Sequence, residues 1–277
     1  MKVSLRHFKN FVRSKTAMAL PVTFLILLVS TLSIVSFTYY FSVEKVNSQG
    51  QTLKVSTAKQ SLLYLNDEII ATLWQPGSSS TFDLRDSGGL LKIQPNINVL
   101  TLSVNDSFTI QETIFNTAIG KITYQLPYSS SSETGLYLKG DSRTITNQSG
   151  SSTSQLSIAN GAEHPEIQLQ YRPTVTYVAA GLENGKPINN IRIYIVNLNS
   201  SSVIAQQGDL PLQISCVNTQ LESRNYDVSY RVGRLTLTSI LNDVRGSVSV
   251  PISSTSVGAI VHIETVVSNI LIQRWIR

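Results

Sequence analysis

The chain has 277 residues, 42% apolar and only 14% charged, which is enough for a domain with a real core. A formal charge of +5 invites a nucleic-acid reading. Its location excludes one: Lys2, Arg6, Lys9, Arg13 and Lys15 precede the first acid, Glu44, and the other 17 basic residues balance the 17 acids, leaving no broad phosphate-binding field. The single cysteine, Cys216, excludes an internal disulfide and sits in an alternating apolar run that reads as core.

In chain order, residues 1–16 form a basic leader. From Ala17 to Phe41 no side chain is charged. At about 1.5 Å per residue, a helix of this length exceeds the roughly 30 Å hydrocarbon core of a bilayer. Pro21 falls in the first turns, where a missing N–H costs least, and Tyr39 and Tyr40 place amphipathic rings at the far end. The stretch is longer than the apolar region of a cleaved secretory signal and no clear A-x-A site follows it, which predicts a retained anchor with the lipid bilayer as partner over residues 17–41. The preceding basic residues put 1–16 in the cytoplasm and the chain from 42 onward outside, as a single-pass plasma-membrane protein.

Residues 42–75 read as a stalk helix. Leu62, Leu65, Ile69 and Leu73 form one apolar stripe, widened by Leu63 and Ile70, while Lys54, Lys59, Asp67 and Glu68 fall off it. Gly50 weakens the helix locally, and Gln75-Pro76-Gly77 ends it. From 76 to 277 the pattern turns to short alternating runs punctuated by Gly, Pro, Asn and Ser. Among them are Ile97–Val104, Phe108–Ile114, Lys121–Leu126, Ile167–Tyr171, Val175–Val178, Ile191–Asn197, Leu210–Val217, Val228–Arg231, Arg234–Ile240 and Ala259–Ile272. The fold class is therefore mainly β: an N-terminal transmembrane helix continuing into an amphipathic helix, then a large β-sandwich. The soft run Asn147–Gln155 marks a long loop or a sub-boundary near 147–160.

Sites of chemistry are sparse. Glu163-His164-Pro165-Glu166 places one histidine between carboxylates but lacks a second histidine or a thiolate, short of a zinc pattern. Ser56-Thr-Ala-Lys59 matches S-x-x-K without the partner motifs S-D-N and K-T-G. Asp67 and Glu68 are neighbours on a helix and point different ways, and Glu133, Asp141 and Glu166 are carboxylates that folding could bring together. His7 falls in the leader and His262 in the last strand. Tyr124, Tyr128, Tyr137, Tyr171, Tyr177 and Tyr194 either fill the core or line a face, with Tyr171-Arg172-Pro173 as a candidate surface cluster. The expectation is no enzyme, no cofactor, no metal and no small-molecule substrate. Asn105, Asn147 and Asn199 head N-x-S sequons, candidates for N-glycosylation given the outside location.

The basic leader, the small residues at Thr16-Ala17, the apolar helix with an early proline and the amphipathic continuation resemble archaeal type IV pilin-like proteins with class III signal peptides. The resemblance implies processing around Lys15, Thr16, Ala17 and Met18, and packing of the apolar helices of several subunits into a filament core. The sequence departs from that pattern where Thr16 follows Lys15, and where Pro21 or Val22 stands in place of the acid that bacterial pilins carry five residues into the mature helix. Runs such as Ala118–Pro127 and Ile191–Asn199 are similar to those of archaeal envelope proteins. The expected function is a membrane-anchored extracytoplasmic surface protein, a pilin-like or minor-pilin component with pilin-like subunits or envelope proteins as partners. A tethered carbohydrate- or protein-binding module is the alternative, and an envelope hydrolase the third reading.

Overall fold

The structure is a computed structural model that describes residues 15–106, 108, 110–126, 134–147, 152–161 and 164–276, with the backbone alone for 15–20. Lys2, Arg6, His7, Lys9, Arg13, Tyr128, Glu133 and Glu163 lie outside the described residues. Two compact units divide the chain, Met1–Leu53 and Lys54–Arg277.

One helix, α1, runs unbroken over Lys15–Thr72 and so belongs to both units. Lys15, Thr16, Ala17 and Met18 occupy its first turn. From Pro21 to Gln49 every residue is exposed, including Phe24, Leu27, Leu32, Ile34 and Phe37; as far as Val43 none is charged, and among the described residues nothing buries this stretch. Three of its hydroxyls are satisfied within the helix. Thr31 donates to Leu27 O at 2.9 Å, Ser33 to Val29 O at 2.8 Å and Thr38 to Ile34 O at 2.8 Å. Returning a hydroxyl to the preceding turn is how a helix carries Ser and Thr where water is absent. This helix is long and apolar enough to cross a membrane by length and composition.

From Val55 onward the same helix behaves differently. Leu62, Leu65 and Ile69 are fully buried, and Leu73 beyond the helix end nearly so, as the 3-4-4 spacing requires. They pack with strand residues rather than standing clear as a stalk. The helix stops at Thr72, three residues before the expected Gln75-Pro76-Gly77. Gly77 then takes a left-handed turn (φ +83°) and donates to Cys216 O at 2.8 Å, leading the chain into the first strand.

The described residues form thirteen strands: β1 Ser79–Leu84, β2 Leu90–Asn105, β3 Gln111–Gln125, β4 Tyr137–Lys139, β5 Ser154–Asn160, β6 Pro165–Tyr171, β7 Thr174–Glu183, β8 Lys186–Asn197, β9 Ile204–Gln207, β10 Leu210–Val228, β11 Arg234–Leu241, β12 Val244–Pro251 and β13 Ala259–Arg274. They make two sheets, one ordered β1-β10-β13-β8-β7 and one ordered β12-β11-β2-β3-β6-β5-β4, with β9 also paired to β2. Strand β13 pairs with β8 in parallel, and the other ladders among the described strands are antiparallel. The mainly β sandwich with an N-terminal helix is the architecture its sequence predicts.

Strand boundaries differ at identifiable places. The expected strand Phe108–Ile114 begins only at Gln111, because Asp106 Oδ1 accepts from Phe108 N–H (2.8 Å) and Ile110 N–H (2.9 Å) and closes a turn there. The expected strand Val228–Arg231 is absent, since β10 ends at Val228. Strand β5 lies within the stretch 147–160 read as loop or boundary, and Leu156 and Ile158 are buried in the core of unit Lys54–Arg277.

Two apolar clusters fill this unit. One joins the helix residues Val55–Leu73 to Leu91, Ile93, Ile122, Leu212, Ile214, Ile270 and Ile272. The other joins Leu100, Leu102, Val104, Ile191, Ile193, Ile195, Val261 and Ile263. Odd-numbered residues of β13 enter the second cluster and even-numbered ones the first. The strand therefore buries opposite faces in its two halves. The changeover shows as runs buried on both faces, Val267–Ile270 in β13 and Ile195–Asn197 at the end of β8 with Leu198 just beyond it. In β2 and β3 it falls at the register shift between Gln94 and Asn98. Gly120 sits there because a Cβ would stand 2.6 Å from Leu198 Cβ and 3.1 Å from Pro95.

Candidate functional site

The helix-bearing cluster lies against the even-numbered face of β8 and β13, and past the helix end that face is open. Trp74, just after α1, marks the limit, edge-on to Tyr194 with ring centroids 5.3 Å apart. Beyond it, cross-strand register sets the surface in rows. Thr176, Arg192, Glu264 and Ser223 lie side by side, and the next row is Val178, Asn190, His262 and Asn225. All of them except Asn225 line a concavity of about 330 Å³.

Its polar groups are largely paired with one another. Arg192 Nε donates to Glu264 Oε2 at 2.7 Å, and that bond holds the guanidinium above its ordinary range. His262 Nδ1 and Asn225 Oδ1 lie 2.5 Å apart. The one carboxylate lining this concavity is thus engaged by arginine and the histidine by an amide. A second, larger groove of about 820 Å³ is lined by Asp83, Arg85, Asp86, Asp209, Arg274 and Trp275 among others. Asp209 Oδ1 accepts from Asp86 N–H, and Asp86 Oδ1 from Gly88 N–H, both at 2.7 Å. Both grooves join residues distant in sequence, and alternation of polar residues on β8 and β13 was the available signal for the first.

Of the residues singled out by sequence, His262 and Tyr177 line the first groove and Tyr194 stands at its edge, whereas the others fall elsewhere. Tyr171 and Arg172, expected as a surface cluster, are buried. Tyr171 Oη donates to Asn66 Oδ1 of the helix at 3.4 Å, and burial pushes its phenol far above the ordinary range. Arg172 donates to Ser152 O (3.0 Å), Arg143 O (2.9 Å) and the Asp141 carboxylate. Its planar fork fills a polar hole under the loop 140–146, a structural use that a dipeptide read as exposed conceals. Arg143, with Nε at 3.0 Å and a terminal nitrogen at 2.6 Å, and then Arg172 hold the Asp141 carboxyl well below the usual carboxylate range. Asp141 is therefore not available to Glu166, which accepts from Gln168 Nε2 at 2.5 Å.

Asp67 and Glu68 diverge as helix geometry demands. Asp67 pairs with Lys139 of β4 at 2.7 Å, while Glu68 accepts from Ser80 of β1. Ser56 and Thr57 are exposed and Ala58 faces the core, so the S-x-x-K stretch lies along the helix flank. His164 is half-buried with Nδ1 unbonded among the described residues. Cys216 is buried, with Sγ 3.6 Å from Ser268 Oγ. Tyr124 is buried and accepts from Gly89 N–H at 3.0 Å, Tyr137 and Tyr177 are exposed, and Tyr194 is half-buried under Trp74. Asn105 ends β2. Asn147 Nδ2 donates to Ser249 O at 3.3 Å, and Asn199 lies in a turn where its N–H donates to Asn197 Oδ1 at 3.0 Å. Ser107 and Ser149 of the first two sequons lie outside the described residues. Among the described residues, no three His, Cys, Asp or Glu side chains converge as metal ligands would. Comparison of the chain with protein-family models, curated proteins and solved structures finds no match to any of them.

Proposed function

We propose that this chain is a membrane-anchored surface protein without catalytic activity, displaying its β unit outside the cytoplasm. The observation that carries the reading is the continuity of α1. A stretch apolar on every side runs without a break into a stretch that is core for the sandwich. A soluble protein has no use for some thirty exposed, mostly apolar helical residues, whereas a bilayer accepts them at no cost. The basic leader orients the anchor with residues 1–16 in the cytoplasm. In its finer form the chain is a pilin-like or minor-pilin component whose apolar helices pack together after processing near Lys15–Met18.

Two measurements test this. Protease added to intact cells should degrade the β unit, and protection of the C-terminus would overturn the orientation. The N-terminal residue of the mature protein tests the pilin-like form, which fails if the chain is uncut and absent from sheared filaments. A second reading, a tethered binding module, is favoured by the groove that sets Trp275 beside Arg85, Arg274 and three aspartates. It predicts that Trp275→Ala abolishes binding to envelope glycans while leaving the fold intact, and full retention of binding would remove it.

A further inference from the structure

Strand edges present unpaired N–H and C=O groups, and folded proteins blunt them with short strands, charge or proline. Most edges here are blunted. Strands β4 and β9 have three and four residues. Strand β12 carries Arg245 and ends at Pro251. Where β10 runs past β1 it bears Glu222, Arg224 and Asp227, and Glu112 of β3 holds Arg224 and accepts from Tyr226 Oη at 2.6 Å. Strand β7 differs: from Thr174 to Leu182 it has neither charge nor proline.

Among the described residues, only the start of the β7 edge is covered. Thr146 N–H donates to Pro173 O at 3.1 Å, and Val175 N–H donates to Thr146 O at 2.8 Å. These bonds set the pleat: the odd residues aim their backbone groups away from β8, so Tyr177 and Ala179 aim theirs outward too. Among the described residues nothing bonds those groups. Cavities flank the same segment on both faces of the sheet. The polar one described above touches Thr176 and Val178, and one of about 290 Å³ is lined by Tyr177, Ala179, Pro251 and Ile252 among others. An added strand gains main-chain bonds from such an edge and seats alternate side chains in such cavities.

We infer that the occupant is β7 of a second copy, antiparallel and centred on Val178, joining two five-stranded sheets into one. Thr146 blocks Val175, so the free groups pair in one register: Tyr177 opposite the second copy's Ala179, and Val178 opposite its own copy. That register sets a large ring beside a small side chain at the second of these cavities. It also buries Tyr177 and Val178, which are 46% and 61% exposed. The segment is uncharged, so two copies meet without repulsion, and the contact is closed by a two-fold axis. It concerns the β unit and holds whether or not α1 assembles filaments.

The test uses the full chain in detergent micelles. Opposed residues of a pair that is not hydrogen-bonded have Cα atoms about 4.5 Å apart, within disulfide reach. Cys216 is 1% exposed, so the unmodified chain is the blank. Under mild oxidation Val178→Cys should form covalent dimer on the order of tenfold more than Leu182→Cys, which is exposed but does not meet its own copy in this register. Ala179→Pro removes an outward N–H that β8 does not use, and Val178→Lys opposes like charges. Each should return the chain to monomer in light scattering with an unchanged melting temperature. Equal cross-linking at 178 and 182, or a dimer that survives both substitutions, would overturn the inference. So would a chain that is monomeric throughout and binds an extended peptide of another protein at β7.

Discussion

Between Val22 and Val43 helix α1 turns apolar side chains to every side and buries none, whereas between Val55 and Thr72 it buries one stripe and leaves Tyr64, Asp67 and Ala71 outside. Backbone hydrogen bonding runs unbroken through both stretches, and both are helix in one element. What separates them is the pattern of apolar residues: a full circumference in one, a stripe in the other. A helix apolar all round needs an apolar surrounding, and a striped one needs a single packed partner. The comparison teaches that the stretch read as a stalk is a layer of the sandwich core, so the β unit cannot be complete without residues that lead directly from the apolar segment.

The sharpest way to break the comparison is to truncate one leucine in each half. Leu65→Ala should destabilise the β unit by about 2–5 kcal/mol, because it opens a cavity in a filled core. Leu28→Ala should leave the unit's denaturation midpoint, followed by the fluorescence of Trp74 and Trp275, where it is. Equal effects would show that the two halves share one environment. Next in size, Leu28→Arg should disfavour membrane insertion by about 2.5–3.5 kcal/mol, read in a translocon insertion assay, and leave the midpoint untouched. Insertion as efficient as that of the unmodified chain would remove the anchor reading.

Smaller effects test how the inner half is pinned to its neighbours. Lys139→Ala removes the partner of Asp67 and should cost about 0.2–1 kcal/mol, since the pair is largely solvated. The same pair carries a pH signature. The hydrogen bond from Lys139 is the largest cause holding the Asp67 carboxyl below its ordinary value. A depressed folded value means that the contribution is present above the unfolded carboxylate value of about 3.9 and is lost as pH falls through the lower folded one. The stability difference between the unmodified chain and Lys139→Ala should therefore shrink below about pH 4. A difference constant from pH 7 to pH 2 would assign it to packing of the lysine stem instead.

Much of the fold is legible in local pattern. The Leu62–Leu73 stripe, the alternation in β6, β8, β11 and β13 and the breaks at glycine and proline each report burial directly, because a periodic element can hide only one face. Strands β1 and β5 are harder to see. Their residues are serine-rich, and each gains its place from its ladder partners: the distant Leu210–Ser215 for β1 and the following strand, Pro165–Tyr171, for β5. The exposed reading of Tyr171-Arg172 fails for a related reason. A guanidinium is buried only where backbone carbonyls and a carboxylate converge on it, and here these come from Asp141, Arg143 and Ser152, some twenty to thirty residues away.

Sequence alone determined the apolar helix, the basic leader, the neutral balance of the rest and the mainly β character. Each of these depends on composition or on a period of two or 3.6 residues within one segment. Tertiary structure alone decided that the helix joins the core and that β8 and β13 change the face they bury. It also decided that Thr146 covers one end of β7 and that, among the described residues, nothing covers Tyr177 and Ala179. Those outcomes depend on which distant segments meet, and a chain records that only through packing and register, not through any local repeat.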